Sequence, residues 1–321
     1  MAKYLLTTLL LLVSFFGVGQ CPTENIFFYN QAEIDEFAVN YPNCTEFDKM
    51  ISIYGKDVTN LNGLRNITSI QSQLTISNCS SLQDFEGLEN LTFVKVLFIH
   101  NNDSLIDFSG LSSLTTLERL DVTLSDNLIN FSGLESLTTI IDDLYIDHNY
   151  SLTNLDGLNN LNSVGQRVDI SWNPLLSSIE GISNLKPFSG FMRFELNNIL
   201  SECAIESVCN QIRVSPNYVF INGNGPGCES KAEVEAQCEL FVSEKDLSRV
   251  ISIYPNPVSS ILKIQTSKNL TFQEATVYSV LGDELITTSE KQINMEKLVT
   301  GVYFVKIKTN KGSLTKKIVK Q

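Results

Sequence analysis

The segment "LTISNCSSLQDFEGLENL", from Leu74 to Leu91, is repeated along the chain, and each copy has its apolar residues and its glycine at the same positions. The following copies begin at Leu97, Leu120, Leu144 and Val168. We place a degenerate first copy at Ile51 and a last copy at Phe194, so that the spacings are 23, 23, 23, 24, 24 and 26 residues. A fixed period of this length indicates a repeat array, in which neighbouring units bury a core that one unit alone cannot bury.

Each copy begins with a short alternation of apolar and polar residues, which predicts a β-strand. A glycine follows thirteen positions after each strand start, where it marks a corner of the backbone. These glycines are Gly87, Gly110, Gly133, Gly157 and Gly181. The expected fold is therefore mainly β, a solenoid with short helical caps that is followed by a small antiparallel β-sandwich.

The pattern "LxIxxN" followed by "LxxLxGLxxL" resembles a bacterial leucine-rich repeat, close to the receptor L-domain type, from about Ile51 to Asn198. The resemblance implies that the fifth residue after each strand start points into the coil and bonds the backbone of the turn. This position holds Cys79, Asn102, Ser125, Asn149 and Asn173. We therefore expect Cys79 to be an inward-facing unpaired thiol, and Ser125 to weaken the ladder in its unit.

The charge and the N-terminus indicate an exported protein. The chain has 321 residues, a formal net charge of −13 and no basic stripe that could neutralise phosphates, which argues against nucleic-acid binding. Residues 1–20 have the organisation of a signal peptide, with Lys3 before an apolar core from Leu5 to Phe16 that is too short to span a bilayer. A lipoprotein signal with lipidated Cys21 is the alternative. We expect no transmembrane segment in the rest of the chain.

Export makes disulfides permissible, and the chain has seven cysteines. We expect an N-terminal cap over residues 21–50, with a short helix within "NQAEIDEFAVNYPNC" and a Cys21–Cys44 disulfide. Residues 201–245 predict a cysteine-rich C-terminal cap with two short helices. Its four cysteines allow three connectivities, of which we expect Cys203 with Cys228 and Cys209 with Cys238. Zinc is the alternative partner of these four, although no C-x-x-C pair is present.

From about Val250 the period disappears, and shorter alternations such as "SILKIQ", "ATVYSV" and "GVYFVKIKT" follow. They predict the strands of a small antiparallel β-sandwich. Two prolines precede "ILKIQ", and we expect them to form a stiff start to the first strand of this module. The lysine-rich end "KGSLTKKIVKQ" is either a solubilising tail or a recognition element.

Residues 250–321 resemble the type A C-terminal sorting domain of type IX secretion cargo from Bacteroidetes. The residues that carry the resemblance are Tyr254, Pro255, Asn256 and Pro257, then Gly282 in "VYSVLGDEL", Gly301 in "LVTGVYFVKI", and Lys316 and Lys317 at the end. The resemblance implies recognition by the type IX secretion machinery and passage through the outer membrane. It also implies that the domain is removed, and that the cargo is then attached to the cell surface or released.

The sequence shows no catalytic machinery, because it has no G-x-S-x-G, P-loop or dinucleotide fingerprint. Its two histidines, His100 and His148, lie in different columns of the repeat without metal-ligand spacing, so we expect neither a metal nor a cofactor. The acidic run "IIDDLYIDHN" is interpreted as a solvated surface, with a carboxylate pair or a calcium site as alternatives. Trp172 is interpreted as turn packing.

The residues between and beside the apolar positions of each strand face solvent on the concave side, which we call the open face. Its central column is expected to hold Thr75, Phe98, Asp121, Tyr145, Asp169 and Glu195. The column before it is expected to hold Gln73, Val96, Arg119, Asp143, Arg167 and Arg193. The column after it is expected to hold Ser77, His100, Thr123, Asp147, Ser171 and Asn197.

Exposed aromatic rings among arginines and aspartates on a rigid sheet suit a glycan or an extended polypeptide. The candidate ligand-binding residues are Phe98, His100, Arg119, Asp121, Asp143, Tyr145, Asp147, Arg167 and Asp169. We therefore expect a non-catalytic binding or adhesion protein that is secreted or attached to the outer surface of the outer membrane, with an extracellular glycan or protein ligand. An extracellular hydrolase and a structural surface-layer component without a specific ligand are the alternatives.

Overall fold

The computed structural model describes residues 21–238, 247–248, 250–267, 270–309 and 312–321. The predicted signal peptide, residues 1–20, lies outside these residues. The chain divides into two compact units, of which the first extends to Cys203 and includes Asn210–Glu229. The second unit comprises Ala204–Cys209 and Ser230–Gln321.

The first unit is built around an 11-stranded parallel sheet. Its strands are β1 (Ile26–Phe28), β2 (Glu46–Phe47), β3 (Ile51–Tyr54), β4 (Ser69–Ser77), β5 (Phe93–His100), β6 (Thr116–Thr123), β7 (Thr139–Asp147), β8 (Ser163–Val164), β9 (Arg167–Ser171), β10 (Phe191–Glu195) and β11 (Val219–Asn222). The hydrogen-bonded order is β1-β3-β4-β5-β6-β7-β9-β10-β11, with β2 beside β4 and β8 beside β7. The prediction of a mainly β chain is confirmed.

The register of the sheet follows the repeat. Leu74 is paired with Leu97, Leu97 with Leu120, Leu120 with Leu144, and Leu144 with Val168. All five side chains are fully buried, because one residue of each strand enters the same layer of the core. The spacing of 23 or 24 residues is thus the length of chain between neighbouring strands.

The predicted position of the last copy is wrong by two residues. Met192, and not Phe194, is paired with Val168, so that the spacing is again 24 residues. Asn197 is consequently buried inside the coil and does not lie on the open face. A further strand, β11, which we did not predict, continues the sheet beyond β10.

Two ladders of side chains fill the interior between the turns. Phe85, Phe108 and Phe131 stack with ring centroids 5.1 and 5.0 Å apart. A ladder of buried polar side chains consists of Asn102, Asn149, Asn173, Asn197 and Asn224, with Cys79 and Ser125 at equivalent positions. Each asparagine Oδ1 accepts a backbone N–H of the preceding turn at 2.9–3.1 Å. Ser125 interrupts the ladder, because its Oγ is buried without a hydrogen-bond partner among the described residues.

We expect Asn173→Ala to lower the free energy of unfolding of the first unit by about 3 kcal/mol, because two buried backbone groups lose their partners. Asn173 Oδ1 accepts the N–H of Asn149 at 3.0 Å, and its Nδ2 donates to the carbonyl of Ile146 at 3.1 Å. Asn127→Ala is the matched control, since Asn127 bonds one exposed carbonyl on the surface. Urea unfolding measures both variants, and equal stabilities would contradict the role of the ladder.

Short helices and three disulfides complete the described structure. The α-helices are α1 (Gln31–Asn40), α2 (Glu206–Val214) and α3 (Lys231–Cys238), and the 3₁₀-helices are Asn62–Leu64, Glu180–Ile182 and Pro216–Tyr218. The three α-helices lie where the sequence predicted short helices. Disulfides join Cys21 with Cys44, Cys203 with Cys228, and Cys209 with Cys238, which are the expected pairs. Cys79 is buried and free, as predicted.

The second unit contains two antiparallel sheets. One sheet has the order β12 (Ile251–Tyr254), β13 (Ile261–Thr266), β16 (Gln292–Asn294). The other has the order β15 (Glu284–Thr288), β14 (Phe272–Tyr278), β17 (Gly301–Thr309), β18 (Gly312–Lys320). Leu262 and Ile264 of the first sheet and Val277 and Val305 of the second belong to one hydrophobic cluster, as expected for sheets that pack face to face.

The proline-containing segment has a different place from the one predicted. It does not begin the first strand, because β12 precedes it and pairs with β13 after it. Asn256, between the two prolines, is held by the last strand: its Nδ2 donates to the carbonyl of Lys317 at 3.0 Å, and its Oδ1 accepts the N–H of Val319 at 2.9 Å. The lysine-rich end is therefore not a tail but the strand β18, which fastens the beginning of the module to its end.

Candidate functional site

The sheet brings the predicted ligand-binding residues together on the open face. Phe98, Asp121, Tyr145 and Asp169 occupy neighbouring strands in one register, which makes them the central column. Arg119, Asp143 and Arg167 are aligned in the column before it, and His100 and Asp147 lie in the column after it. Parallel strands lie about 4.8 Å apart, so residues that follow one another in a column are close neighbours on the face.

Tyr145 is surrounded by carboxylates. Asp121 and Asp169 flank it on the neighbouring strands, and Asp143 and Asp147 flank it on its own strand. Partial burial, followed by the charges of Asp147, Asp169 and Asp121, raises the pKa of Tyr145. The centre of the open face therefore has a negative potential.

Arginines compensate only part of this charge. Arg119 forms a 2.6 Å ion pair with Asp121 and approaches Asp143 to 4.0 Å, and Arg167 also lies 4.0 Å from Asp143. Asp121 is only 3% exposed, and this burial raises its pKa in spite of the neighbouring Arg119 guanidinium. Asp147 bonds His148 at 2.5 Å.

The end of the face beyond Asp169 contains residues that the sequence analysis misplaced or missed. Phe191 lies in the column of Arg167, and Arg193 lies in the central column, because the last copy begins at Met192. The guanidinium carbons of Arg167 and Arg193 lie 4.8 and 5.3 Å from the centroid of the Phe191 ring. Phe220 of β11 follows Arg193 in the central column and is 43% exposed. The face is thus longer and more aromatic than predicted.

The histidines have different surroundings. His100 stacks on Phe98 with centroids 5.9 Å apart, and its Nδ1 lies 2.8 Å from Thr123 Oγ1. His148 stacks on Trp172 at 5.2 Å beside the open face. Trp172 thus packs against the residue of the neighbouring turn, as the interpretation of turn packing expects, although it remains 49% exposed.

The predicted sorting residues lie on several elements of the second unit. Tyr254 ends β12, Gly301 begins β17, and Lys316 and Lys317 lie in β18. Gly282 lies in the turn between β14 and β15 with φ +92°, in open space. Its positive φ favours glycine, so its role in the turn is conformational.

A comparison with known families bears on the C-terminal part of this unit. Residues 252–321 match the secretion system C-terminal sorting domain. The sorting domain supports secretion through the type IX system, and with it secretion or attachment to the cell surface. The match does not include the repeat region, and no curated protein matches the chain.

Two features are absent from the described residues, namely a membrane-spanning helix and a cluster of metal ligands. Within the described ranges, no helix is both long and apolar enough to span a membrane. In the same ranges, no group of three or more His, Cys, Asp or Glu side chains is arranged to hold a metal ion.

Proposed function

We propose that the first unit is a leucine-rich-repeat solenoid. The strand spacing of 23 or 24 residues, the asparagine ladder and the glycine corners support this assignment. In such an array each turn contacts its two neighbours, so that a continuous sheet is presented on one side. The open face would be that side.

We propose further that the exported chain is a non-catalytic binding or adhesion protein whose open face engages an extracellular glycan or protein. The observation that carries this proposal is the register, which places partly exposed Phe98 and Tyr145 among charged side chains on a hydrogen-bonded sheet. Fixed aromatic rings lose little conformational entropy on binding, and such residues contribute most of the binding energy at interfaces.

Delivery to the outer surface, with the sorting domain as the part that the type IX machinery recognises, completes the proposal. The alternatives are an extracellular hydrolase and a structural surface-layer component. Turnover of a glycan or peptide substrate by the purified chain without residues 250–321 would establish a hydrolase. The absence of binding in a broad ligand panel would favour a structural role.

Phe98→Ala and Tyr145→Ala are each expected to weaken ligand binding by about tenfold or more, because each removes an aromatic contact from the centre of the face. A panel of glycans and extracellular proteins identifies the ligand, and titration of the variants measures the loss. Ile129→Ala is the matched control, since Ile129 is exposed on a turn outside the strands. Unaltered binding by both open-face variants would refute the proposed surface.

A further inference from the structure

Two aromatic residues, Phe98 and Tyr145, flank Asp121 in the central column, and we call the space between them the slot. Phe98 and Tyr145 occupy the strands on either side of Asp121, which places their backbones about 9.6 Å apart at the usual strand spacing. Side chains stand roughly perpendicular to a sheet, so the two rings form walls and Asp121 forms the floor.

The floor of the slot has unused hydrogen-bonding capacity. Asp121 Oδ2 accepts one bond from Arg119 at 2.6 Å, whereas Oδ1 has no hydrogen-bond partner among the residues that the structure describes. A carboxylate can accept about four hydrogen bonds, and a buried one normally finds several. Asp121 is nevertheless 96% buried at its side chain, with 4% exposed.

Asp169 provides an internal comparison. It occupies the same column on the other side of Tyr145 and is equally buried. Its Oδ1 accepts from Ser171 Oγ at 2.7 Å, and its Oδ2 lies 3.4 Å from Arg193 Nη1. Both oxygens of Asp169 are thus bonded within the chain, so that of these two buried carboxylates Asp121 is the one with an oxygen that has no partner among the described residues.

We propose that the slot binds a lysine or arginine side chain of a protein ligand, with the aliphatic stem between Phe98 and Tyr145 and the cationic head at Asp121 Oδ1. This inference rests on the proposed function and names the chemistry of the ligand. Basic side chains place apolar stems against apolar surfaces and cationic heads against aromatic faces and carboxylates. A charge-assisted bond to Oδ1 would complete the bonding of the floor.

Four aspartates flank Tyr145, on its own strand and on the two neighbouring strands, and their charge favours a cation over a neutral group. Burial is the largest cause of the raised pKa of Asp121, whereas Arg119 and His100 lower this pKa and Asp147 raises it further. Partial burial, and then the charges of Asp147, Asp169 and Asp121, raise the pKa of Tyr145. A bound cation favours the ionised carboxylate, so affinity is expected to be complete above the raised pKa of Asp121 and to fall as the pH drops through it.

The test uses the secreted chain and capped pentapeptides, Gly-Gly-X-Gly-Gly, in which X is lysine, arginine or the uncharged norleucine. Binding is followed by NMR titration at low ionic strength, because charge-assisted contacts weaken with salt. The lysine or arginine peptide is expected to shift the amide signals of β5, β6 and β7 in the wild-type protein. Asp121→Asn is expected to weaken this binding by about tenfold, and Phe98→Ala by a similar factor. Asp103→Asn is the matched control, since Asp103 is exposed on a turn outside the open face, and it should change the affinity by less than about twofold.

Equal binding of the norleucine peptide would overturn the inference, as would unchanged affinity in Asp121→Asn. Melting curves verify that each variant is folded. If Asp121→Asn does not fold, Phe98→Ala, which changes another strand, still tests the slot. A neutral glycan that binds and depends on Phe98 and Tyr145, without any peptide binding, would overturn the basic-ligand inference and retain the proposed function. Failure of all peptides, glycans and proteins to bind would reject both.

Discussion

Gly133→Ala is expected to lower the free energy of unfolding of the first unit by about 4 kcal/mol, among the largest effects of a single substitution. Gly133 has φ +105°, where an L-residue is strained. A Cβ at this position would lie 2.1 Å from the carbonyl oxygen of Phe108, a backbone atom of the preceding turn that cannot rotate away. The two turns would have to separate, and the interior stack of Phe108 on Phe131 would be disturbed. Calorimetry should record a decrease in Tm of about 8–16 °C for a unit of this size.

Gly223→Ala distinguishes the effect of the steric clash between turns from the effect of backbone strain at a positive φ. Gly223 also has a positive φ, +68°, but the nearest atom to its Cβ is Leu196 Cδ2 at 2.9 Å, in a flexible side chain. Its replacement is expected to cost only about 1–2 kcal/mol. Equal losses in Gly133→Ala and Gly223→Ala would mean that backbone strain alone accounts for the glycines, and that the tight approach of the turns has no energetic role.

Deletion of residues 250–321 is expected to abolish delivery of the protein to the outer surface and to leave it in the periplasm. The deletion removes the whole of the matched sorting domain, including Asn256 and the strand β18 that it bonds. Surface labelling of intact cells and fractionation measure the result. Undiminished surface display of the truncated chain would disprove the role of the domain.

A gain-of-function control distinguishes loss of the signal from damage to the first unit. A fluorescent reporter placed between residues 1–20 and 247–321 is expected to reach the cell surface, whereas the same reporter with residues 1–20 alone should remain in the periplasm. Protease resistance of the truncated chain verifies that its first unit is folded. A reporter that stays inside with both segments would show that residues 247–321 are not sufficient.

The parallel register from Leu74 to Val168 could be predicted from the sequence, because each unit places several apolar residues and a glycine at fixed distances. The error at β10 has a physical cause. Met192 and Phe194 are both apolar and point to the same side of the strand, so a shift of two residues keeps the alternation intact. Only the asparagine ladder distinguishes the two registers, since Asn197 must enter the coil. The ladder was the signal that could have corrected the prediction.

The composition of the open face was predictable for the same reason, whereas the bonding on it was not. Alternation places Asp121 and Asp169 in one column, but it does not reveal that their carboxylates differ in hydrogen-bonding partners. The carboxylate of Asp169 bonds Ser171 on its own strand and Arg193 on the next strand, and alternation alone does not show that these side chains reach it.

The free cysteine in the ladder bears on how the exported chain oxidises. Burial raises the pKa of Cys79 to about 11, so almost none of it is thiolate near neutral pH once its turn has formed. Thiol–disulfide exchange requires the thiolate, so buried Cys79 does not compete with the other six cysteines. Those six alone allow 15 possible pairings. The three disulfides connect cysteines only 23, 25 and 29 residues apart. Oxidative folding is therefore a set of local closures, and scrambling through Cys79 is suppressed as soon as the coil around it is complete.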